Sequence, residues 1–275
     1  MFAPYIQRWG LRPDAGPILT ASSRLLPVVY RDRPAMLKIA AVEEERRGNA
    51  VMSWWGGKGA AFVFEHDDRA ILIERAGPEP SLEALARGGR DDDATRIACD
   101  VAAALHAHAF PPPVEAIPLA QWFSRLRPCT EAGHAIIRLA ARTAAELLAT
   151  PQAEAVVLHG DIHHGNILHF GTRGWLAIDP KGLVGERGFD YASLFCNPSH
   201  GIAIDPVRFA RRLEIVAQAS GIDRSRLLRW ILAWTGLSAL WMLDDGMVPK
   251  TPLRVARLAA AELGFLPKRQ GLHAR

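Results

Sequence analysis

The chain has 275 residues, 49% hydrophobic and 23% charged, with a formal net charge of +4. That length gives room for one large domain or two lobes, and the mix is that of a globular protein rather than a disordered one. The three cysteines, Cys99, Cys129 and Cys196, are odd in number and form no Cys-x-x-Cys, which excludes a disulfide framework and a thiolate zinc site.

The positive charge is spread over Arg46, Arg47, Arg211, Arg212, Arg224, Arg226, Arg229, Lys268 and Arg269. No basic stripe is interleaved with aromatics, so nucleic acid is not an expected partner. The N-terminal stretch MFAPYIQRWGLRPD lacks the basic start and unbroken apolar core of a secretory signal, so a cytoplasmic protein is expected. Further on, PILTASSRLLPVVYRDRPAMLKIA carries two apolar runs around the turn RDRP and reads as paired strands. The second strand holds Lys38 between apolar neighbours, out of place there unless it faces something anionic.

Glu43 to Trp55 reads as a helix. Acids fill its first turn, where the helix dipole favours them, and Val51, Trp54 and Trp55 give it an apolar face. A hairpin follows, Phe62–Phe64 and Ile71–Ile73 around His66–Arg69. The Gly- and Pro-rich AGPEPS is the expected connection between a small strand-rich lobe, residues 1–76, and a larger, mainly helical lobe, 77–275. In that second part Asp93 is the expected cap of a helix running to His108, and PPP at 111–113 is a stop. LAQWFSRL gives a short helix and Glu131–Ala149 a long one. Ala155–Leu158, Asn166–Phe170 and Trp175–Ile178 read as short strands flanking loops. Asp205-Pro206, Asp223 and Thr251-Pro252 open the last three helices, with Gly221 ending the first of them. The apolar stretch Trp230–Leu243 runs 14 residues, short of the roughly 20 of a membrane span, and reads as a buried helix with Trp230, Trp234 and Trp241 in the core. No membrane partner is expected.

The centre of the chain, VVLHGDIHHGNIL, crowds His159, Asp161, His163 and His164 into six positions. These types suit a divalent metal, and GDIHHGN resembles the Gly-Asp-x-His-Gly stretch of metallophosphoesterases. Those enzymes also need an upstream Asp-x-His, a Gly-Asn-His-Asp block and a downstream Gly-His-x-His, all missing here. A phosphoryl-transfer reading accounts for more: Asp161, then Asn166 five residues on, then Asp179 in WLAIDP, with Lys38 in an upstream strand and an acid-led helix after it. Transfer needs a carboxylate to orient or deprotonate the acceptor hydroxyl, oxygen donors for magnesium, a lysine for the phosphates and an acid for the lysine.

LHGDIHHGNILHFGTRGWLAIDPKGLVGERGFDYA closely resembles the aminoglycoside phosphotransferase superfamily, and more narrowly the streptomycin 6-phosphotransferases, or streptomycin and hydroxyurea kinases. TASSRLLPV, AMLKIA, WWGGKGAA, ILIERA, PLAQWF and LLRWILAWTGLSALW extend the likeness over nearly the whole chain. The resemblance implies an α+β, bilobal protein-kinase-like fold and an enzyme that uses ATP and Mg2+ to phosphorylate an aminoglycoside, the 6-hydroxyl of streptomycin above all, expected to act as a monomer. Other acceptors among small hydroxylated metabolites or aminocyclitols, and an inactive ATP-binding module, are the alternatives.

The same resemblance makes Asp161 the base, His159 the scaffold of its loop, and Asn166 and Asp179 the magnesium ligands. Lys38 becomes the phosphate-binding lysine, with Glu45 as its acid and Glu44 as the fallback. Glu74 and Ala76 would offer backbone groups to adenine, and Ser22 and Ser23 would offer hydroxyls and amides to the phosphates in a loop without the usual glycines. Gly165 stands where related sequences carry Glu, which makes it the position where acceptor specificity is in question. Lys181, after Asp179, reads as solvent-facing. Because streptomycin carries guanidinium groups, its pocket should present acids, and Glu186, Asp190, Asp244 and Asp245 are the candidates. Asp190 has a structural role as its competing reading. Trp122, Phe123 and Trp241 are a possible wall for a sugar, with core packing as the competing reading.

Overall fold

The computed structural model describes residues 1–108, 111–113, 115–130 and 134–267, and for residues 127, 129 and 130 the backbone path only. The side chain of Cys129, the expected helix start at Glu131 and the basic pair Lys268 and Arg269 lie outside the described residues. In chain order the elements are α1 (Ala3–Trp9), β1 (Arg12–Pro13), β2 (Ile18–Leu19), β3 (Ser23–Tyr30), β4 (Arg33–Ala40), α2 (Glu43–Trp55), β5 (Val63–His66) and β6 (Ala70–Glu74). There follow α3 (Leu82–Arg87), α4 (Asp91–His106), β7 (Ile117–Pro118), α5 (Leu119–Trp122), α6 (Ala135–Ala149), β8 (Val156–Leu158), β9 (Ile167–His169), β10 (Trp175–Ala177) and β11 (Leu183–Gly185). The chain then runs through α7 (His200–Ala203), α8 (Pro206–Ser220), α9 (Arg224–Asp244) and α10 (Lys250–Glu262).

The first 74 residues build an antiparallel sheet in the order β1-β3-β4-β6-β5, with β2 on the other end of β3. Arg31 and Asp32 turn β3 into β4 with positive φ at both positions (48° and 61°), the backbone of a two-residue hairpin whose twist matches its strands. Period two decides what each face sees. Ala35, Leu37 and Ile39 of β4 join Leu26 and Val28 in a cluster covered by Phe2, Tyr5, Ile6 and Trp9 of α1 and its lead-in. Met36 and Lys38, on the other face, line a cavity under the sheet. The lysine therefore points inward because its neighbours are held outward.

The expected hairpin forms, although His66, expected in the turn, ends β5 and pairs with Ile71, and α2 has the expected bounds. Residue 76, the expected end of the first lobe, lies in the segment between Glu74, the end of β6, and Leu82, the start of α3.

In the helical part α9 is the axis. It packs on α6 and α10, and a Cβ on its Gly236 would stand 2.2 Å from the Cβ of Ala140, so only glycine lets α6 come that close. The apolar stretch is helical and buried from Trp230, 1% exposed, to Leu237, whereas Leu243 at its end is 38% exposed. No helix among the described residues is long and apolar enough to cross a membrane. Asp205 and Asp223 cap α8 and α9 as expected, each accepting two backbone N–H groups. The expected cap at Asp93 is a correction: α4 begins two residues earlier, because Asp91 is drawn inward to pair with Arg212 of α8 at 2.6 Å and becomes the first helical residue. Arg212 also donates to the carbonyls of Leu194 and Asn197, so one buried guanidinium ties α4, α8 and the loop before α7 together. The last helix begins at Lys250 rather than at a Thr251 cap, and Pro249, its N-cap, offers no side-chain bond. Between these helices lie β7, β11 and β8 in one small sheet and the β9–β10 hairpin, whose loops meet below the inner face of the large sheet.

Candidate active site

Two cavities meet at the loops after β8 and β10. One, about 210 Å3, lies between the large sheet and the β9–β10 hairpin. Its wall is apolar at Leu25, Met36, Ile73, Leu168, Phe170 and Ile178, and at one end it carries Lys38, Glu45, Asn166 and Asp179. The Lys38 ammonium is ion-paired to both Glu45 and Asp179, with its side chain 8% exposed. Glu45 is thus the partner, and the fallback Glu44 instead reaches Lys181 at 3.1 Å. The assignment follows from packing: a Cβ on Gly48 of α2 would lie 2.1 Å from the Pro180 carbonyl oxygen, so α2 sits directly on the chain after Asp179 and aims Glu45 at the lysine. Asp179 itself has φ 63°, a left-handed turn uncommon for non-glycine residues but one that Asp enters more readily than most. Burial works against its charge, but Lys38 and then Lys181 hold its carboxyl well below the usual range.

The loop after β8 is built by hydrogen bonds to buried groups. His159, fully buried, has one ring nitrogen 2.8 Å from the Ile178 carbonyl and the other accepting from the Asp161 N–H at 3.2 Å, which fixes the Nε2–H tautomer. Burial keeps this imidazole neutral, below its ordinary pKa, despite the carboxylates around it. Asn166 donates from Nδ2 to the Asp161 carbonyl at 3.0 Å, and the planar amide turns its oxygen to the opposite side. For Asp161, burial works against the charge, but the His163 ring beside it and then Lys181 outweigh burial, so the carboxyl titrates below the usual range and is ionised at neutral pH. His163 Nε2 stands 3.6 Å from Asp161 Oδ2, while its Nδ1 accepts from the Gly165 N–H at 3.0 Å.

The second cavity, about 590 Å3, opens on the far side of Asp161. Trp122 and Trp241 meet edge to face in its wall, ring centroids 5.1 Å apart. Around the rim stand Glu44, Asp244 and Asp245, with Lys181 beside Gly160 and Asp161. Asp244 and Asp245 are the last residue and the C-cap of α9, where acids oppose the helix dipole. Asp244 is ion-paired to Arg125.

The structure brings Lys38, Glu45, Asn166, Asp161 and Asp179 together around the junction of the two cavities. Ser22, Ser23 and Ala76 line the first. Ser23 Oγ is buried with no hydrogen-bond partner among the described residues, but its N–H donates to Thr20 Oγ1 at 2.9 Å, so of the two groups expected from Ser23 only the hydroxyl is available. Glu74 also lines that cavity, yet it gives its carboxylate to the Phe62 N–H and Arg173 and its own N–H to the Phe62 carbonyl.

Four expectations need correction. Glu186 is not in the second cavity: it is 8% exposed and saturated by Arg226 at 2.6 Å, the Trp230 indole at 3.1 Å and the Gln152 N–H. Asp190 is 1% exposed and accepts from the His159 and Gly160 N–H groups at 2.9 and 2.7 Å, with His106 at 2.8 Å, so of its two readings the structural one holds, and it braces the loop instead of meeting a ligand. Phe123 belongs to the core, whereas Trp241, read as core, stands in the cavity wall with Trp122. Lys181, read as solvent-facing, has a side chain only 18% exposed. The histidines make no metal nest: His159 and His163 are turned to the backbone, and His164 is buried and neutral, pushed down to about 3 by burial with Arg212 and His163 nearby.

The model of the aminoglycoside/hydroxyurea antibiotic resistance kinase family matches residues 8–246. The chain is 49% identical over 246 residues to a streptomycin 3''-kinase of Klebsiella pneumoniae, covering 88% of this chain and 92% of that protein. To a streptomycin 6-kinase of Streptomyces griseus it is 29% identical over 279 residues, covering 93% and 86%. Among solved structures, a thermostable mutant of aminoglycoside phosphotransferase APH(4)-Ia in ternary complex with AMP-PNP and hygromycin B matches with a TM-score of 0.66 at 11% identity, over 95% of this chain and 98% of that one. At that identity the likeness speaks for the bilobal kinase-like fold alone. With the family model spanning most of the chain, this protein belongs to the aminoglycoside/hydroxyurea antibiotic resistance kinases and is an aminoglycoside phosphotransferase.

Proposed function

We propose that the chain moves the γ-phosphoryl group of ATP to streptomycin, inactivating the antibiotic, and that the acceptor is the 6-hydroxyl of the streptidine ring. One observation carries the choice of hydroxyl: the cavity on the far side of Asp161 has acids at its rim and tryptophans in its wall. Streptidine bears both guanidinium groups of streptomycin. Carboxylates and indole faces are the groups that hold such cations, through charge-assisted bonds and cation–π contact. A 6-hydroxyl flanked by a guanidinium would then stand before the base.

The nucleotide would lie in the smaller cavity, its base in the apolar slot and its phosphates toward Lys38 and the Ser23 hydroxyl. Asn166 and Asp179 suit a magnesium ion, which takes hard oxygen donors: one carboxylate and one amide oxygen turned from its own loop are available at the cavity's end. The ion would supply charge neutralisation for the phosphates. Asp161, ionised at neutral pH, orients the acceptor hydroxyl and takes its proton, while Asp190 and His159 hold the loop beneath it.

The 49% identical relative named a streptomycin 3''-kinase favours a second reading, transfer to the 3''-hydroxyl of the amino sugar. Incubation with ATP and streptomycin, followed by phosphorus–proton correlation NMR of the product, separates the two. Coupling to the streptidine C6 proton is expected, and coupling to the amino-sugar C3'' proton would replace the first reading with the second. ATP consumption with another aminocyclitol but none with streptomycin would move the acceptor outside both.

A further inference from the structure

We propose that Lys181 is a catalytic residue: its ammonium neutralises the phosphoryl group on the acceptor side, and Glu44 holds it at that position. This rests on reading the cleft as the site of ATP-dependent transfer. The acceptor cavity poses an electrostatic problem. Glu44, Asp161, Asp244 and Asp245 all line it, a set suited to a polycationic antibiotic and hostile to an arriving phosphoryl group. Lys38 stands in the donor cavity, beside Glu45 and Asp179, and does not line the acceptor cavity. Among the described residues lining the acceptor cavity, Lys181 is the one basic side chain.

Its position is built. The Lys181 N–H donates to the His159 carbonyl at 2.6 Å, joining the residue to the loop that carries Asp161. Its stem lies against Gly160, where an added Cβ would meet the Lys181 Cβ at 2.9 Å. Its Nζ reaches Glu44 Oε1 at 3.1 Å, and the Glu44 side chain is 36% exposed. A pair with so exposed a partner is screened by solvent and contributes too little to explain why a lysine is kept largely out of water beside the base.

The first turn of α2 thus presents two adjacent acids, each holding one lysine: Glu45 with Lys38 on the donor side, Glu44 with Lys181 on the acceptor side. In the transfer, the acceptor oxygen forms a bond to the γ-phosphorus. The bond from that phosphorus to the β–γ bridging oxygen breaks, with its electron pair going to ADP, and the hydroxyl proton passes to Asp161. Charge on the equatorial oxygens persists throughout, and a second cation opposite Lys38 meets it without moving.

The test is Lys181→Met beside Lys181→Arg. Methionine should lower kcat by about 100-fold, the scale of removing one preorganised charge-stabilising group, with the KM for streptomycin within about twofold. Calorimetry without acceptor gives a readout independent of turnover. The Met variant should lose about tenfold in affinity for a non-hydrolysable ATP analogue and little for ADP, because only the γ-phosphoryl group reaches Lys181. Arginine should recover kcat to within about tenfold of wild type. A kcat for Lys181→Met within threefold of wild type, an equal loss for ADP and the analogue, or a folded Arg variant no better than Met would overturn the proposal. Should the Met variant not fold, Glu44→Gln replaces it: kcat about fivefold lower is expected, since the lysine keeps its charge but loses its anchor, and an unchanged kcat overturns the proposal. A wild-type protein that consumed ATP with no aminoglycoside would instead overturn the underlying reading of the cleft.

Discussion

The donor cavity of about 210 Å3 and the acceptor cavity of about 590 Å3 adjoin at the loops that carry Asp161 and Asp179, yet they are held by opposite means. The donor cavity draws its walls from β3, β4, α2, β6 and β9, and its charged groups are closed into pairs, Lys38 with Glu45 and Asp179. The acceptor cavity draws most of its wall from α5 and the end of α9, and its acids stand at a rim where solvent reaches them. One side is preorganised by elements distant in sequence. The other can be reshaped by a few residues on two helices. On the proposed reading of the two cavities, a common phosphoryl donor and variable acceptors favour this division, since charge is best preset on the nucleotide side and fit must vary on the antibiotic side.

Substitutions that act on one cavity at a time test the division. The largest effect is expected at the junction: Asp161→Ala should lower kcat by about 1,000-fold, within the range for losing a general base, while nucleotide and streptomycin affinities by calorimetry stay within a few-fold. On the donor side alone, Lys38→Ala should raise the KM for ATP about 10- to 100-fold, the scale of one charge-assisted bond to phosphate, and leave the KM for streptomycin unchanged. A comparable rise in both constants would mean that the cavities are not separable.

Glu186 tests the same contrast from outside both cavities. Glu186→Gln strips Arg226 of its charged partner, and breaking a buried pair costs about 3–5 kcal/mol, read as a lower midpoint in urea with the streptomycin KM unchanged. Burial favours the neutral acid, but the bonds from Arg226 and Trp230 prevail and hold this carboxyl below its usual pKa. A depressed carboxyl contributes its stability above the unfolded value of about 4.3 and loses it as pH falls through the folded value. The difference between wild type and Glu186→Gln should therefore be full at pH 7 and shrink below about pH 4.

Glu186 also marks where sequence reading ended. Signals that act within a few residues were legible: the acids opening α2, the caps Asp205 and Asp223, the period-two pattern that isolates Lys38, and the Asp161–Asn166–Asp179 spacing. The family resemblance supplied the kinase-like fold, which composition and spacing alone could not. Charges whose partners lie far along the chain were not legible. Glu186 answers to Arg226 forty residues on, Asp190 to His106 eighty-four residues before it, and Asp91 to Arg212 across 121 residues. Glu186 and Asp190 look locally like binding groups, and all three acids are consumed by the fold. Lys181 is the converse case, a surface residue by its flanking sequence that the packing of α2 against the chain after Asp179 encloses.

Smaller effects belong to the acceptor rim. Asp244→Asn and Asp245→Asn should each raise the KM for streptomycin about three- to tenfold at low salt, less in high salt, with the KM for ATP unmoved. Because Asp244 is already paired to Arg125, it should be the weaker of the two.

The smallest effect is expected at Gly165, the position that sequence comparison makes conspicuous. It does not line the acceptor cavity. Its backbone needs no glycine, since its φ is not positive, and an added Cβ would meet only the His163 ring, at 3.1 Å from Cε1 and 3.3 Å from Nδ1. The His163 side chain is 23% exposed and can yield a few tenths of an ångström. Gly165→Glu should thus change stability by no more than about 0.5 kcal/mol, the usual range for a surface substitution, and leave the streptomycin KM within about twofold. What change it makes should appear in kcat, because His163 approaches Asp161 at 3.6 Å and any shift of the ring is felt by the base before it is felt by the antibiotic. A KM that moved with kcat unchanged would instead put position 165 in contact with the acceptor and extend the variable side of the molecule into the loop that the comparison assigns to the fixed one.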